Sequence, residues 1–409
     1  MNNTKRRFIV CGIVFTLLLW VSGCGNNGSS DAVDDQSNLV NTGNNETENK
    51  DTPLTDAIVP DQKGNKEAAA DNPTVATDLK PSEGLEFESN GDGTFSIIGV
   101  GICKDKDIVI PVKSPDGDIV TLIGENSFYS LENVDSITLL NYNYEVDKSA
   151  FQYGEFTTLN IIGGAPVIKK SAFSSCEDLK LISFSNCNLN TDDYAFYSCG
   201  KDANVSFTNC KGVIGKSAFQ YGELLNLTIT DCEFEIDKSA FSSCEDLASI
   251  VFTESTIETK EYAFYSCGNS AEVEVNNCSL SLDDRSFQYS SLNSLAIAGS
   301  KVELGQSVFS NCEDLTAVYI ECGMVNLGEY AFYSCEDLLK VIICQSTKAD
   351  NGIKIDDRAF QYCKRLEAVT VGKGAVEVGE YVFSNCADNL EISIAGKKYN
   401  AETIKDGLK

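Results

Sequence analysis

Phenylalanine returns through this chain at near-constant intervals. The positions are Phe128, Phe151, Phe173, Phe196, Phe219, Phe241, Phe264, Phe287, Phe309, Phe332, Phe360 and Phe383, and the steps between them are 23, 22, 23, 23, 22, 23, 23, 22, 23, 28 and 23 residues. Most sit in variants of one phrase, SAFSSCEDL at Ser171 to Leu179. A unit of this length is too short for a pair of helices, which takes about 33 residues or more. Each unit is therefore one coil of a solenoid, and because one coil has nothing to pack against, neighbours must stack with Phe on Phe.

The rest of the coil follows from the residues around each Phe. An alternating apolar pair precedes it, as in Val302-Glu303-Leu304 and Val325-Asn326-Leu327, the period of two expected of a short strand. Eight or nine residues after it stands a second inward pair, such as Ile182 with Phe184, Ile250 with Phe252, Val318 with Ile320 and Val369 with Val371. Between the two strands, the Phe, the residue three further on and a Leu at about six are expected to form one helical or 3₁₀ turn. The 22-residue steps have a local cause: the units FQYGE, FQYGE and FQYSS lack the Cys found three residues after most of the phenylalanines and are one residue shorter. The five extra residues before Phe360 fall in Gln345 to Gly352, QSTKADNG, a polar turn-forming run suited to a surface loop. FQYGE, FSSCED and FYSCG follow one another and recur 68 residues on, so the array reads as copies of a three-coil cassette.

Outside the array, residues 1–23 carry Lys5, Arg6 and Arg7 and then an apolar run from Phe8 to Trp20, too short for a membrane span and right for a signal-peptide core. Val21-Ser22-Gly23-Cys24 resembles the lipobox of bacterial lipoproteins, and the resemblance implies that Cys24 carries a lipid. Residues 24–84 are polar and nearly free of aromatics, as expected of a disordered linker, whose flexible-coil reach is about 40 to 45 Å. Residues 85–122 hold alternating stretches on both sides of Asn90-Gly91-Asp92-Gly93, which points to a β-hairpin, and then the strand-like Ile108 to Val112, together a cap for the first coil. A calcium loop at that turn is disfavoured by its few acidic residues and the lack of a closing Glu. Residues 123–389 are the repeat array, and 390–409 read as a last strand and closing cap.

The run Leu327-Gly328-Glu329-Tyr330-Ala331-Phe332-Tyr333-Ser334-Cys335-Glu336-Asp337-Leu338-Leu339-Lys340-Val341-Ile342-Ile343 resembles the consensus repeat of the BspA-like, or Treponema pallidum type, leucine-rich-repeat family, and the period lies in the leucine-rich-repeat range. The resemblance covers about Ile123 to Ile394. It implies an α/β repeat solenoid, a right-handed leucine-rich-repeat coil of about 12 repeats with short parallel strands, short helical turns and an N-terminal β-hairpin cap. It also implies a bacterial or protist surface protein, since members of the family include adhesins for matrix proteins or other cells.

Composition restricts the chemistry. There are 32 Lys and Arg against 61 Asp and Glu, a net charge of −29 that repels nucleic acid and anionic lipid. Histidine is absent, which removes Ser-His-Asp and Cys-His pairs, HExxH zinc sites and histidine bases. Every acidic cluster is a repeated one, whereas an active site would be a unique break in the pattern, so neither an enzyme nor a cofactor is expected. Of the 17 cysteines, Cys11 falls in the leader and Cys24 in the lipobox. Cys176, Cys199, Cys244, Cys267, Cys312, Cys335, Cys363 and Cys386 stand three residues after a Phe and are expected to pack as small hydrophobes. Cys187, Cys210, Cys232, Cys278, Cys322 and Cys344 fall at the turn after the second strand, without the CxxC spacing of a zinc site. So many free thiols in an exported chain suit a reducing habitat.

These observations favour a lipid-anchored cell-surface scaffold that binds a protein or glycan ligand, ahead of a passive envelope spacer and well ahead of an enzyme or an accessory module of one. The outward residues of the second strand should line a common face, running Asn160, Ser183, Ser206, Thr228, Val251, Glu274, Ala296, Tyr319, Ile342, Thr370 and Ser393. Val251, Glu274, Tyr319 and Ile342 depart from the small polar residues of the first coils and are the ligand-binding candidates, with Tyr319 and Ile342 at the centre. For the anchor, the expected outcome is that Cys24→Ala leaves an unprocessed precursor. Metabolic labelling with a fatty acid checks this, and label retained by the variant would refute the assignment.

Overall fold

The computed structural model describes residues 79–345 and 352–408. The leader, Cys24, nearly all of the linker and most of the Gln345 to Gly352 insertion lie outside them. Two parallel ladders run the length of the solenoid. The first, made of the strands that follow each Phe, has thirteen rungs from Asp107–Ile110 to Glu391–Ile394. The second, made of the strands that precede each Phe, starts at Thr94–Gly99 and ends at Val376–Val378. In mid-array the two merge across the corner into single strands, Ala271–Leu282, Leu292–Leu304 and Ala317–Leu327. The inward pairs read from the sequence are buried: Ile182, Phe184, Ile250, Phe252, Val318, Ile320, Val369 and Val371 are each at most 2 % exposed.

The coil differs from expectation between the strands. No helix occurs among the described residues, so the architecture there is all-β with turns rather than α/β. The reason lies in the backbone. The residues two before and two after the Phe take positive φ, as Ser171 (58°) and Ser175 (57°) do around Phe173, and a helix cannot pass through such a position. The freed amides turn outward to the next coil: the Phe173 N–H donates to the Ala195 carbonyl at 2.8 Å and the Ser175 N–H to the Tyr197 carbonyl at 2.8 Å. The same bonds recur along the array, from Phe128 to Ala150 through Phe360 to Val382. The turn is thus a third ladder between coils.

Inside it, the twelve phenylalanines form one column. Successive ring centroids lie 4.8 Å apart at Phe128–Phe151, 5.0 Å at Phe219–Phe241 and 5.7 Å at Phe360–Phe383, with planes within 18° of parallel throughout. The cysteines three residues after Phe pack beside the column, all but the half-buried Cys386 fully buried, and act as donors as well as fillers. Cys176 Sγ donates to the Phe151 carbonyl at 3.1 Å and Cys335 Sγ to the Phe309 carbonyl at 3.2 Å, each reaching back one coil. Ser290 holds the same place in the FQYSS unit and makes the same bond, to the Phe264 carbonyl at 2.9 Å. In the two FQYGE units the place is Gly154 or Gly222, where a Cβ would lie 2.4 Å from the Phe156 ring or 3.1 Å from the Leu224 side chain. Phe156 and Leu224, both fully buried, fill the space, and the shorter loop brings them there.

The first coil comes from the segment expected to be only a cap. Thr94–Gly99 and Asp107–Ile110 are ladder rungs, which is why thirteen coils stand where about 12 were expected. The hairpin strand Glu86–Ser89 pairs antiparallel with Thr94–Gly99 and covers the end. Asp92 closes the hairpin turn by accepting from the Thr94 N–H at 2.9 Å and hydroxyl at 2.6 Å, and these bonds hold its carboxyl below the usual range. At the other end Lys397–Tyr399 folds back antiparallel on Glu391–Ile394, and Ile404 is buried against the last coil. Phe241→Ala should cost about 3 to 5 kcal/mol. Cys335→Ser should stay closer to the parent than Cys335→Ala, because its hydroxyl repeats the Ser290 contact while Ala leaves bond and volume unfilled. Urea unfolding of the three variants measures both differences.

Candidate binding surfaces

The outward residues of the first ladder stand in unbroken register from Asn160 through Ser183, Ser206, Thr228, Val251, Glu274, Ala296, Tyr319, Ile342 and Thr370 to Ser393. Val251, Glu274 and Tyr319 are half-buried. Ile342, expected to be exposed, is only 8 % exposed. Rungs about 4.8 Å apart set it between Tyr319 and Thr370, whose side chains leave a branched residue little open surface. The Tyr319 hydroxyl donates to Glu321 Oε2 at 2.5 Å, which ties the ring along its own strand.

A larger aromatic surface lies elsewhere, along the turn ladder. Twelve of the sixteen tyrosines stand two before, one after or two after a column Phe, and edge-to-face contacts join them into groups across neighbouring coils. Tyr194, Tyr197 and Tyr221 have centroids 5.6 and 5.6 Å apart, Tyr262, Tyr265 and Tyr289 5.5 and 5.7 Å, and Tyr330, Tyr333 and Tyr362 5.4 and 5.3 Å. Tyr129 with Tyr153 forms a pair nearer the N-terminus at 5.4 Å. Between groups comes a coil with Ser or Asn at these places, such as Ser242 and Ser243, so the groups recur every third coil. Tyr221 is 52 % and Tyr289 54 % exposed. Lys238 and Arg285 stand 5.3 and 5.8 Å from the Tyr262 ring, and Arg358 stands 5.7 Å from Tyr330 and 5.6 Å from Tyr381. Eight of the twelve, Tyr221, Tyr289 and Tyr362 among them, have φ between 56 and 65°. That region is costly for a bulky residue, and other coils fill it with Ser or Asn. The signal was present in the sequence as the Tyr of FQY, FYS and EYAF. It was hidden because its identity repeats with the scaffold.

The thiols divide by depth. Burial pushes those beside the Phe column up, Cys176 to about 12 and Cys199, Cys244 and Cys363 well above 9.0. Cys322 at the corner is raised by burial to about 12. No group of three or more acidic or Cys side chains among the described residues is placed to hold a metal ion. No helix long and apolar enough to cross a membrane occurs among them.

The class these features define is a parallel β-solenoid repeat protein that presents side chains on long outer surfaces. The chain belongs to the BspA type leucine-rich-repeat family, whose repeat region matches in six copies over residues 103–226, 212–339 and 340–406. Similar solved structures include a leucine-rich repeat protein from Bacteroides ovatus, 19% identical over 77% of this chain and 94% of that one with a TM-score of 0.31. The pneumococcal vaccine antigen PcpA is 15% identical over 78% and 87%, TM-score 0.35. The T. pallidum leucine-rich repeat protein is 16% identical over 76% and 90%, TM-score 0.17. No curated protein sequence matches. The repeat match, not these superpositions, carries the family assignment.

Raised thiol pKa values fix a sign for pH dependence. A folded thiol near 12 against an ordinary value of 9.0 keeps its proton while the unfolded chain loses one, so this stability is complete below about pH 9 and is lost as pH rises toward 12. The melting temperature should therefore fall from pH 9 to 11, and less steeply in Cys176→Ala. An equal slope in the two proteins would remove the thiol from the account.

Proposed function

We propose that this protein is a lipid-anchored, extracytoplasmic bacterial surface protein whose solenoid binds an extended protein or glycan ligand. The observation that carries the reading is the row of tyrosine groups repeated every third coil, in each of which the Tyr two residues after Phe is exposed and held at a backbone position that favours smaller residues. Tyr kept at places where the coils between the groups use Ser or Asn at less backbone cost is a mark of use, and Tyr gives large contact area at little entropy cost. The family assignment and the export-type leader with its VSGC sequence support the location. Val251, Glu274, Tyr319 and Ile342 on the strand face stay as a secondary contact region, smaller in exposed aromatic area than the tyrosine row. The net charge of −29 favours neutral or basic ligands over nucleic acid.

The triple change Tyr221→Ser, Tyr289→Ser and Tyr362→Ser should weaken binding to matrix proteins or glycans on an array at least about tenfold, a loss of about 1.4 kcal/mol. It should not lower the melting temperature. No ligand for the parent protein across both classes would favour a passive spacer, and undiminished binding by the variant would move the site off the tyrosine row.

A further inference from the structure

Three sulfurs follow one another at the corner that leaves the first ladder: Cys187, Cys210 and Cys232, in successive coils, with Ser255 in the fourth. Cys187 Sγ and Cys210 Sγ are 3.4 Å apart. Their rungs are locked side by side, since the Lys211 N–H donates to the Cys187 carbonyl at 3.1 Å and Asn188 pairs with Lys211 in register. Just before them Asn186 and Asn209 take φ of 55 and 50°, and Asn209 Nδ2 donates to Asn186 Oδ1 at 2.8 Å. Neighbouring parallel strands lie about 4.8 Å apart, inside the Cα span of about 4.4 to 6.8 Å that a disulfide bridges.

These thiols lie nearer the surface than those of the Phe column. Cys187, Cys210 and Cys232 are buried, at 2, 3 and 5 % exposure against 0 % for Cys244, but they form the floor of a shallow depression on the outer surface together with Asn186, Asn209 and Lys211. Cys210 lies between the other two: its backbone N–H donates to Cys232 Sγ at 3.3 Å, and the sulfur–sulfur contact with Cys187 lowers the pKa of Cys210 while raising that of Cys187.

We propose that Cys187 and Cys210 form a redox-active dithiol that reacts with small-molecule disulfides of the glutathione type. Cys210 Sγ, as thiolate, attacks one sulfur of the small disulfide, forming a mixed disulfide on Cys210 and releasing the first small thiolate. Cys187 gives up its proton and its sulfur attacks Cys210 Sγ, which forms the Cys187–Cys210 bond and releases the second small thiolate. The two protons end on the two small thiols, and the pair has passed two electrons to the small disulfide. The bond joins adjacent coils across 23 residues of chain, from 187 to 210.

The test uses the full chain, reduced and then incubated with oxidised glutathione. Digestion without reductant followed by mass spectrometry should show a Cys187–Cys210 crosslink before any Phe-column thiol such as Cys244 is modified, and dithiothreitol should reverse it. Because Cys232 also neighbours Cys210, the double variant Cys187→Ser with Cys232→Ser should accumulate a mixed glutathione disulfide on Cys210, and Cys210→Ser should react at Cys187 at least about tenfold more slowly. Ser255 already occupies the next place in this column, so Ser fits the site. A folded parent chain that forms no crosslink, a folded Cys187→Ser, Cys232→Ser variant that takes up no glutathione, or modification of Cys244 at the same rate would each overturn the proposal.

Discussion

The spacing of a parallel β-rung, about 4.8 Å, governs every contact between coils. The phenylalanine rings repeat at nearly that distance, the Phe amides reach the next coil's carbonyl at 2.7 to 3.0 Å, and thiols reach back to the previous coil's carbonyl. These interactions share one translation, so none can change its length without breaking register in the others. A coil must therefore keep its circumference, and where a residue is missing the core must be refilled from within. Gly154 and Gly222 show how, since the absent thiol leaves room that Phe156 and Leu224 enter. Stability in such an array is a sum of coils and interfaces, with the hairpin and the C-terminal fold-back shielding the two ends that lack a neighbour.

The turn around each Phe is where local preference yields to stacking. Ser, Asn and Tyr occupy left-handed backbone there because the geometry delivers alternate amides to the next coil, and each coil recovers the cost in hydrogen bonds. Ser and Asn meet that demand cheaply. Tyr meets it at greater cost and covers the turn with an aromatic surface, so scaffold and recognition use the same few residues.

Much of this was legible in the residues alone. Phe spacing set the coil length, alternation around Val302, Val325, Ile182 and Ile250 located both strands, and the missing Cys explained the 22-residue steps. The helical turn was misread because Phe, Cys and Leu at intervals of three also suit a helix. The positive φ at Ser171 and Ser175 comes from bonds to another coil, which no local pattern records. Alternation also misjudged the exposure of Ile342, because it gives the direction of a side chain and not the size of its neighbours on the adjoining rungs. The first coil went unrecognised because Thr94–Gly99 and Asp107–Ile110 carry the ladder without the Phe phrase. The tyrosine row was visible letter by letter, yet only the turn geometry shows that places two before, one after and two after Phe open onto the same surface.

The three-coil cassette sets how such a protein changes length. Its coils differ at the interface: one begins FQY and in three of its four copies carries Gly or Ser beside the Phe column, the next is Ser-rich, and the third has paired tyrosines. Loss or gain of a single coil would bring together faces that meet nowhere else in the array. Loss or gain of 68 residues restores every junction. The array is thus free to lengthen or shorten only in whole steps of three rungs, about 14 Å each. Each step adds or removes one complete tyrosine group. Reach and valency are geared together, and recombination within the repeats would alter both by the same fixed increment while leaving every individual contact as it was.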